Sequence, residues 1–196
     1  MKRMSELSRK TSETDILLRL NLDGSGKGKI STGVGFFDHM LTAFTRHGLF
    51  DLDVKAKGDL HIDSHHTVED VGIVLGQSLG HALGDKRGIH RFGQASVPMD
   101  EALVEAVIDL SGRPFLCWGV KFEREMLGAM DTQLVEEFFR AFSGNGLFTL
   151  HVRQLAGTNA HHVAEAAFKA VARALRAAVA EDPRASGQIP STKGVI

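Results

Sequence analysis

Ser64-His65-His66-Thr67-Val68-Glu69 returns 96 residues later as Ala160-His161-His162-Val163-Ala164-Glu165. A longer stretch ahead of it returns as well: Ala43-Phe44, Gly48-Leu49-Phe50, Leu52 and Val54 recur at an offset of 98 as Ala141-Phe142, Gly146-Leu147-Phe148, Leu150 and Val152. Leu22-Asp23-Gly24-Ser25-Gly26 matches Ile108-Asp109-Leu110-Ser111-Gly112 more weakly, at an offset of 86. The same elements in the same order read as two tandem half-domains of about ninety residues. They span 1–90 and 91–185, meeting near Gly88 to Gly93, and 186–196 forms a C-terminal tail.

Each half reads as strands, helix, strand, helix. Ile16 to Leu22 and Leu52 to Ala56 alternate apolar and polar residues as half-buried strands, and Phe37, Met40, Leu41 and Phe44 sit at helical spacing until Gly48 stops them. The second half repeats the plan, with strands near Ala102 to Leu110, Phe115 to Phe122 and Leu147 to Gln154 and a helix from Thr132 to Phe142. The helices predicted over His65–Leu83 and His161–Ala180 are rich in small and aliphatic residues, too apolar for a solvent-facing position. The expected fold is therefore α+β, a duplicated β-β-α-β-α unit whose helices are sandwiched between two sheets. Half-domains this small bury little alone, so the halves should pack on each other and subunits on subunits. Pro183 to Ile196 reads as an extended tail, either disordered or held by a ligand or neighbour.

The 196 residues are 43% hydrophobic and 24% charged, which excludes a disordered chain. Lys+Arg 23 against Asp+Glu 24 leaves a net charge of -1, so there is no basic field for nucleic acid. A single cysteine, Cys117, read as packed in an apolar strand, closes no disulfide within the chain. No run approaches a membrane span or signal peptide, and the expectation is a cytoplasmic protein.

Five of the ten histidines carry the candidate chemistry. Residues four apart on a helix stack one turn above the other, so His65 with Glu69, and His161 with Glu165, can grip one ion each. His66 and His162 lie about 100° round their helices and cannot easily serve the same ion. The economical arrangement has two ions, each taking the extra histidine from the other copy's helix, within the chain or across a subunit contact. His39 and Glu137, equivalent at the offset of 98, supply one further ligand each. Imidazole with carboxylate suits Mn, Fe, Co, Ni or Zn. His47, His61, His81, His90 and His151 read as surface or hydrogen-bonded residues, with His61 and His151 near the metal-bearing loops.

With those residues assembled, the chain resembles the imidazoleglycerol-phosphate dehydratases along essentially its whole length. The carriers are Arg9-x-Thr11-x-Glu13-Thr14, Gly35-Phe36-Phe37-Asp38-His39-Met40-Leu41, Asp63-Ser64-His65-His66-Thr67-Val68-Glu69-Asp70, Asp109-Leu110-Ser111-Gly112-Arg113-Pro114, Asn159-Ala160-His161-His162-Val163-Ala164-Glu165-Ala166-x-Phe168-Lys169 and Pro190-Ser191-Thr192-Lys193-Gly194-Val195. The resemblance implies a ribosomal protein S5 domain 2-like duplicated subunit, a homo-oligomer of 24 subunits, and two Mn2+ ions per active site at subunit interfaces. It implies a hydro-lyase of histidine biosynthesis that converts imidazoleglycerol phosphate, a phosphorylated imidazole, to imidazole acetol-phosphate. On this reading two metals bind the substrate ring as imidazolate, whose electron density expels the hydroxyl before the neighbouring proton is lost. The implied catalytic set is Glu13, His65, Glu69, His161 and Glu165, with Glu13 as the acid/base. The metal ligands are His39, His65, His66, Glu69, Glu137, His161, His162 and Glu165. Glu13, Arg91, Arg113, Ser191, Thr192 and Lys193 bind substrate, the cations and hydroxyls holding its phosphate. Two positions depart from the family: many members carry His where Glu137 stands, and Ser-Ser-Lys is common where this chain has Ser191-Thr192-Lys193.

Overall fold

The computed structural model describes residues 2–196. Its first half runs β1 (Met4–Lys10), β2 (Thr14–Asn21), β3 (Ile30–Ser31), α1 (Gly35–Gly48), β4 (Asp51–Gly58) and α2 (His65–Leu83). The second runs β5 (Phe92–Met99), β6 (Ala102–Asp109), β7 (Phe115–Gly119), a small hairpin of β8 (Met126–Leu127) and β9 (Met130–Asp131), α3 (Gln133–Gly146), β10 (Thr149–Ala156) and α4 (Ala160–Val179). A 3-10 turn at Pro183–Ala185 leads into the tail.

The duplication is visible in the strand order. One sheet is ordered β1-β2-β4-β3 and the other β5-β6-β10-β7, each with two antiparallel pairs and a parallel edge. Helix α1 and strand β4 map onto α3 and β10 at the offset of 98. Even backbone strain is repeated: Leu49 and Leu147, just past α1 and α3, both take the left-handed conformation at φ 55 and 52, a geometry that costs a side-chain-bearing residue about 1–2 kcal/mol. The weaker offset of 86 is a mismatch. Asn21 pairs with Asp51 where Asp109 pairs with Thr149, so β2 and β6 correspond at 88, and sheet register rather than sequence similarity fixes the alignment.

Two edge strands, β1 and β5, have no counterpart in the hydropathy reading, because an edge strand buries one face only partly and carries little apolar signal. Strand β7 stops at Gly119, short of Phe122.

In β2, Thr14, Ile16, Leu18 and Leu20 face inward, as do Ala102, Val104, Ala106 and Ile108 in β6. Helix α2 rests on β1 and β2 and against α3; α4 rests on β5 and β6 and against α1. The helices thus fill the space between the sheets, and the predicted small residues explain how closely. A Cβ on Gly76 of α2 would lie 2.6 Å from Gly146 N and Phe142 O of α3. One on Gly93 of β5 would lie 1.9 Å from Ala174 O of α4. Phenylalanines close the centre, Phe168 of α4 lying 5.2 Å from Phe138 and 4.8 Å from Phe139 of α3 between ring centroids.

The tail is tied to the body of the chain as far as Pro190. Gly88 N donates to Gln188 O at 2.8 Å, Arg87 Nη1 to Gly187 O at 3.0 Å and Arg91 Nη1 to Pro190 O at 2.8 Å. Cys117 sits partly exposed on the outer face of its sheet, not packed inside. His151 shares that outer face, beside the Phe115 ring and away from the helices, since its neighbours Leu150 and Val152 point inward.

Candidate active site

Helix α4 begins where Asn159 accepts from His161 N at 3.0 Å and His162 N at 3.3 Å, so the residue that starts the helix also fixes the backbone of both histidines. One turn on, Glu165 is buried, and its Oε2 lies 3.2 Å from His161 Nε2 and 3.0 Å from His39 Nε2 of α1. The ligand atoms of these three residues all lie within 4.8 Å of one another. Lys169 Nζ takes the other oxygen, Oε1, at 2.5 Å. Burial alone would raise the Glu165 carboxyl, but the hydrogen bonds from Lys169 and His39 outweigh it and hold the group down to about 2. Glu165 is therefore a carboxylate at neutral pH, with two imidazoles converging on its Oε2.

The duplicate of this cluster is looser. Asp63 Oδ1 accepts from His65 N at 2.7 Å at the start of α2, and His65 Nε2 stands 3.6 Å from Glu69 Oε2. Glu137 of α3 lines the same cavity of about 450 Å³ as His65, Asp63 and Gln133. Thus α1 with α4 brings together His39, His161 and Glu165, and α3 with α2 brings together Glu137 and His65.

The second histidine of each motif turns elsewhere. His66 Nδ1 lies 2.9 Å from Asp59 Oδ2, and His162 Nδ1 lies 2.7 Å from Glu101 Oε2. Those hydrogen bonds raise both imidazoles above their usual range, and the His162 contact holds Glu101 down to about 2. Within one chain, neither His66 nor His162 joins the cluster of His39, His161 and Glu165.

Glu13 lies in the turn between β1 and β2, after the first strand rather than before it, with Oε1 3.8 Å from His66 Nε2. The turn is pinned from below. Asp70 of α2, buried, accepts from Thr14 Oγ1 at 2.5 Å and pairs with Arg9 Nη2 at 2.9 Å.

The candidate phosphate ligands gather around the end of β6. Arg91, with φ 70, donates to Asp109 at 2.7 and 3.1 Å and holds the tail at Pro190. Arg113 is more exposed, its Nη2 3.9 Å from Asp109. Ser191 Oγ accepts from Lys193 N at 3.2 Å, and Thr192 lies in the turn between them. Asp109 pairs with Thr149, the first residue of β10, whereas α4 follows the last, Ala156. The arginines and the α4 cluster thus stand at opposite ends of a strand about 23 Å long.

Sequence reasoning missed Asp59, Asp70, Glu101 and Lys169. Asp70 and Lys169 stand inside motifs that were read, on the helix face one turn from a named residue, and that spacing was the available signal. Asp59 and Glu101 come from loops that only the fold brings to the histidines. His47 reads in sequence as a surface or hydrogen-bonded residue; burial and the charges of Lys169 and Arg173 hold its imidazole below the usual range.

A family model for imidazoleglycerol-phosphate dehydratase matches residues 32–175. The chain belongs to that family. The Acidiphilium cryptum imidazoleglycerol-phosphate dehydratase is 68% identical over 196 residues, all of both chains. The Staphylococcus aureus imidazoleglycerol-phosphate dehydratase structure is 41% identical, with TM-score 0.83, 91% of this chain and 99% of that one being covered. The Pyrococcus furiosus structure, a complex with (S)-C348, is 38% identical, with TM-score 0.84 over 97% of this chain and 100% of that one. The activity is that of a dehydratase of histidine biosynthesis, a hydro-lyase acting on a small molecule, imidazoleglycerol phosphate. Among the described residues no helix is long and apolar enough to cross a membrane.

Proposed function

We propose that dehydration takes place at a site shared between copies of the chain and loaded with two divalent cations, Mn2+ being the ion the family resemblance implies. The observation that carries the reading is the separation of the two residue groups. Three carbons join the substrate's imidazole to its phosphate oxygen, far less than the roughly 23 Å of strand between the α4 cluster and Arg91. If both groups touch one substrate molecule, they come from different chains.

The donor set fits such ions. His39, His161 and Glu165 converge with a buried, ionised carboxylate oxygen at their centre, and nitrogen with hard oxygen suits manganese through zinc. His65, Glu69 and Glu137 would hold the second ion, and His66 and His162 would complete the sets from neighbouring copies. When bound, the cations supply Lewis acidity to the substrate's ring nitrogens. Glu13, in its pinned turn, moves the proton at the carbinol carbon. Arg91 and Arg113 present guanidinium forks to the phosphate, with Ser191, Thr192 and Lys193 adding donors from the tail. The halves 1–90 and 91–185 then act as two ligand-bearing repeats and 186–196 as a substrate-binding tail, in a cytoplasmic homo-oligomer of 24 subunits.

A chelator abolishes turnover of imidazoleglycerol phosphate on this reading. One equivalent of Mn2+ per subunit restores it only partly and two restore it fully, followed by assay against metal content. Subunit sharing is checked by dissociating and mixing two inactive variants, His161→Ala and Lys193→Ala. Recovery of activity in the mixed assembly is expected, and none would place the whole site in one chain.

A further inference from the structure

Both motifs end in a histidine whose Nδ1 is taken by a carboxylate, although the two carboxylates arise from unrelated places. Asp59 follows β4 and lies 2.9 Å from His66 Nδ1; Glu101 sits in the β5–β6 turn and lies 2.7 Å from His162 Nδ1. An ionised carboxylate only accepts, so Nδ1 carries the hydrogen in both rings. The other nitrogen, Nε2, is 3.8 Å from Glu13 in one ring and 3.7 Å from Asp100 in the other, beyond hydrogen-bond reach.

Sheet register identifies what Glu101 is. Strands β2 and β6 correspond at an offset of 88, which makes Glu101 the duplicate of Glu13. Glu101 is fully engaged: besides His162 it accepts from Asn159 N at 2.9 Å and Thr158 N at 3.3 Å. Past the bulge between Gln154 and Ala156, the position equivalent to Asp59 is Thr158, which offers no carboxylate. Asp59 in turn has one oxygen, Oδ1, buried without a hydrogen-bond partner among the described residues. A desolvated oxygen of that kind opposes folding, as expected of a residue kept for its effect on His66.

We propose that Asp59 and Glu101 are positioning residues: each holds the Nδ1 hydrogen of its histidine so that Nε2 alone is presented to an ion, and Asp59's service to His66 leaves Glu13 free for proton transfer while its duplicate is locked. The inference rests on the reading of His66 and His162 as metal ligands. It explains why two glutamates related by duplication have different tasks. In one half an outside aspartate orients the ring; in the other the glutamate does so itself.

The test uses the full-length protein and Mn2+ alone. In the metal-free protein, imidazole 15N shifts should report Nδ1–H for His66 and His162, and Asp59→Ala and Glu101→Ala should each release its own ring to a mixture of tautomers. Each variant should weaken Mn2+ binding by about 10–100-fold. Its kcat loss should be recovered by excess metal. Glu101→Gln, which keeps an acceptor oxygen and guards against a variant that fails to fold, should retain the Nδ1–H tautomer and most of the affinity. Wild-type tautomers and unchanged Mn2+ affinity in both alanine variants would overturn the proposal while leaving the metal site standing. Unchanged Mn2+ stoichiometry in His162→Ala would overturn the ligand reading, and the proposal with it.

Discussion

The α1/α4 cluster and the α2/α3 cluster descend from one ancestral arrangement, yet the first is assembled and the second open. Glu165 is about one-tenth exposed and gripped by Lys169, whereas its counterpart Glu69 is 39% exposed and 3.6 Å from His65. Where the first has Lys169 the second has Ile73, and where the first has His39 the second has Glu137. The first cluster combines one carboxylate with a neighbouring cation; the second has two carboxylates and no lysine at that place. Glu137 pairs instead with Arg140 of its own helix at 3.6 Å, and Glu69, with no lysine one turn on, stays solvated. Polar support is distributed in the opposite sense. The turn bearing Glu13 is pinned by Arg9, Thr14 and Asp70, while the equivalent places in the second half hold Val97, Ala102 and Ala166. Duplication has therefore supplied two copies of a frame, one carrying the converged His39, His161 and Glu165 and the other a pinned turn that bears Glu13.

The largest test of that contrast is Glu13→Gln. It should lower kcat by about 100-fold or more while leaving Mn2+ affinity intact, measured by turnover and by metal titration. Near-normal turnover would remove the acid/base from the first half and erase half of the comparison. Next is Asp70→Asn, which removes the charge paired with Arg9 and leaves one acceptor oxygen where Arg9 and Thr14 had two. Because Arg9 is about one-third exposed, the loss should be about 2 kcal/mol, below the range for a fully buried pair. Urea unfolding would measure it, and kcat should fall as the Glu13 turn loosens. An unchanged midpoint would mean the polar pin does no more than the alanine in its place at 166. The smallest effect concerns the helix starts. Asn159→Ala, which strips His161 N and His162 N of their acceptor, should cost about 1 kcal/mol in chemical unfolding, whereas Asp63→Ala at the duplicate position, which strips only His65 N, should cost about half that. Equal costs would show that the two histidine turns are held alike after all.

Much of this was legible in the sequence because it repeats. The helix predicted at His65–Leu83 is α2, and the offset of 98 relates α1 and β4 to their second copies residue for residue. Period, small residues and spacing are local properties, and a chain that follows them twice states its fold class twice. The edge strands β1 and β5 were illegible because half their side chains never leave water. The partners of the histidines were illegible for a different reason: Asp59 is seven residues from His66 in sequence and Glu101 is sixty-one from His162, so neither belongs to a periodic pattern.

By itself, then, the sequence determined the duplication, the two helices that carry paired histidines and the residue types able to hold an ion, since all of these follow from spacing along one chain. Tertiary structure alone decided that His39 meets Glu165 across two helices, that Lys169 keeps that carboxylate ionised, that the tail is tied to Arg91, and that Arg91 and His161 stand at opposite ends of a sheet. Those are relations between distant segments, set by the register of strands and the close approach of helices, and no local pattern encodes them.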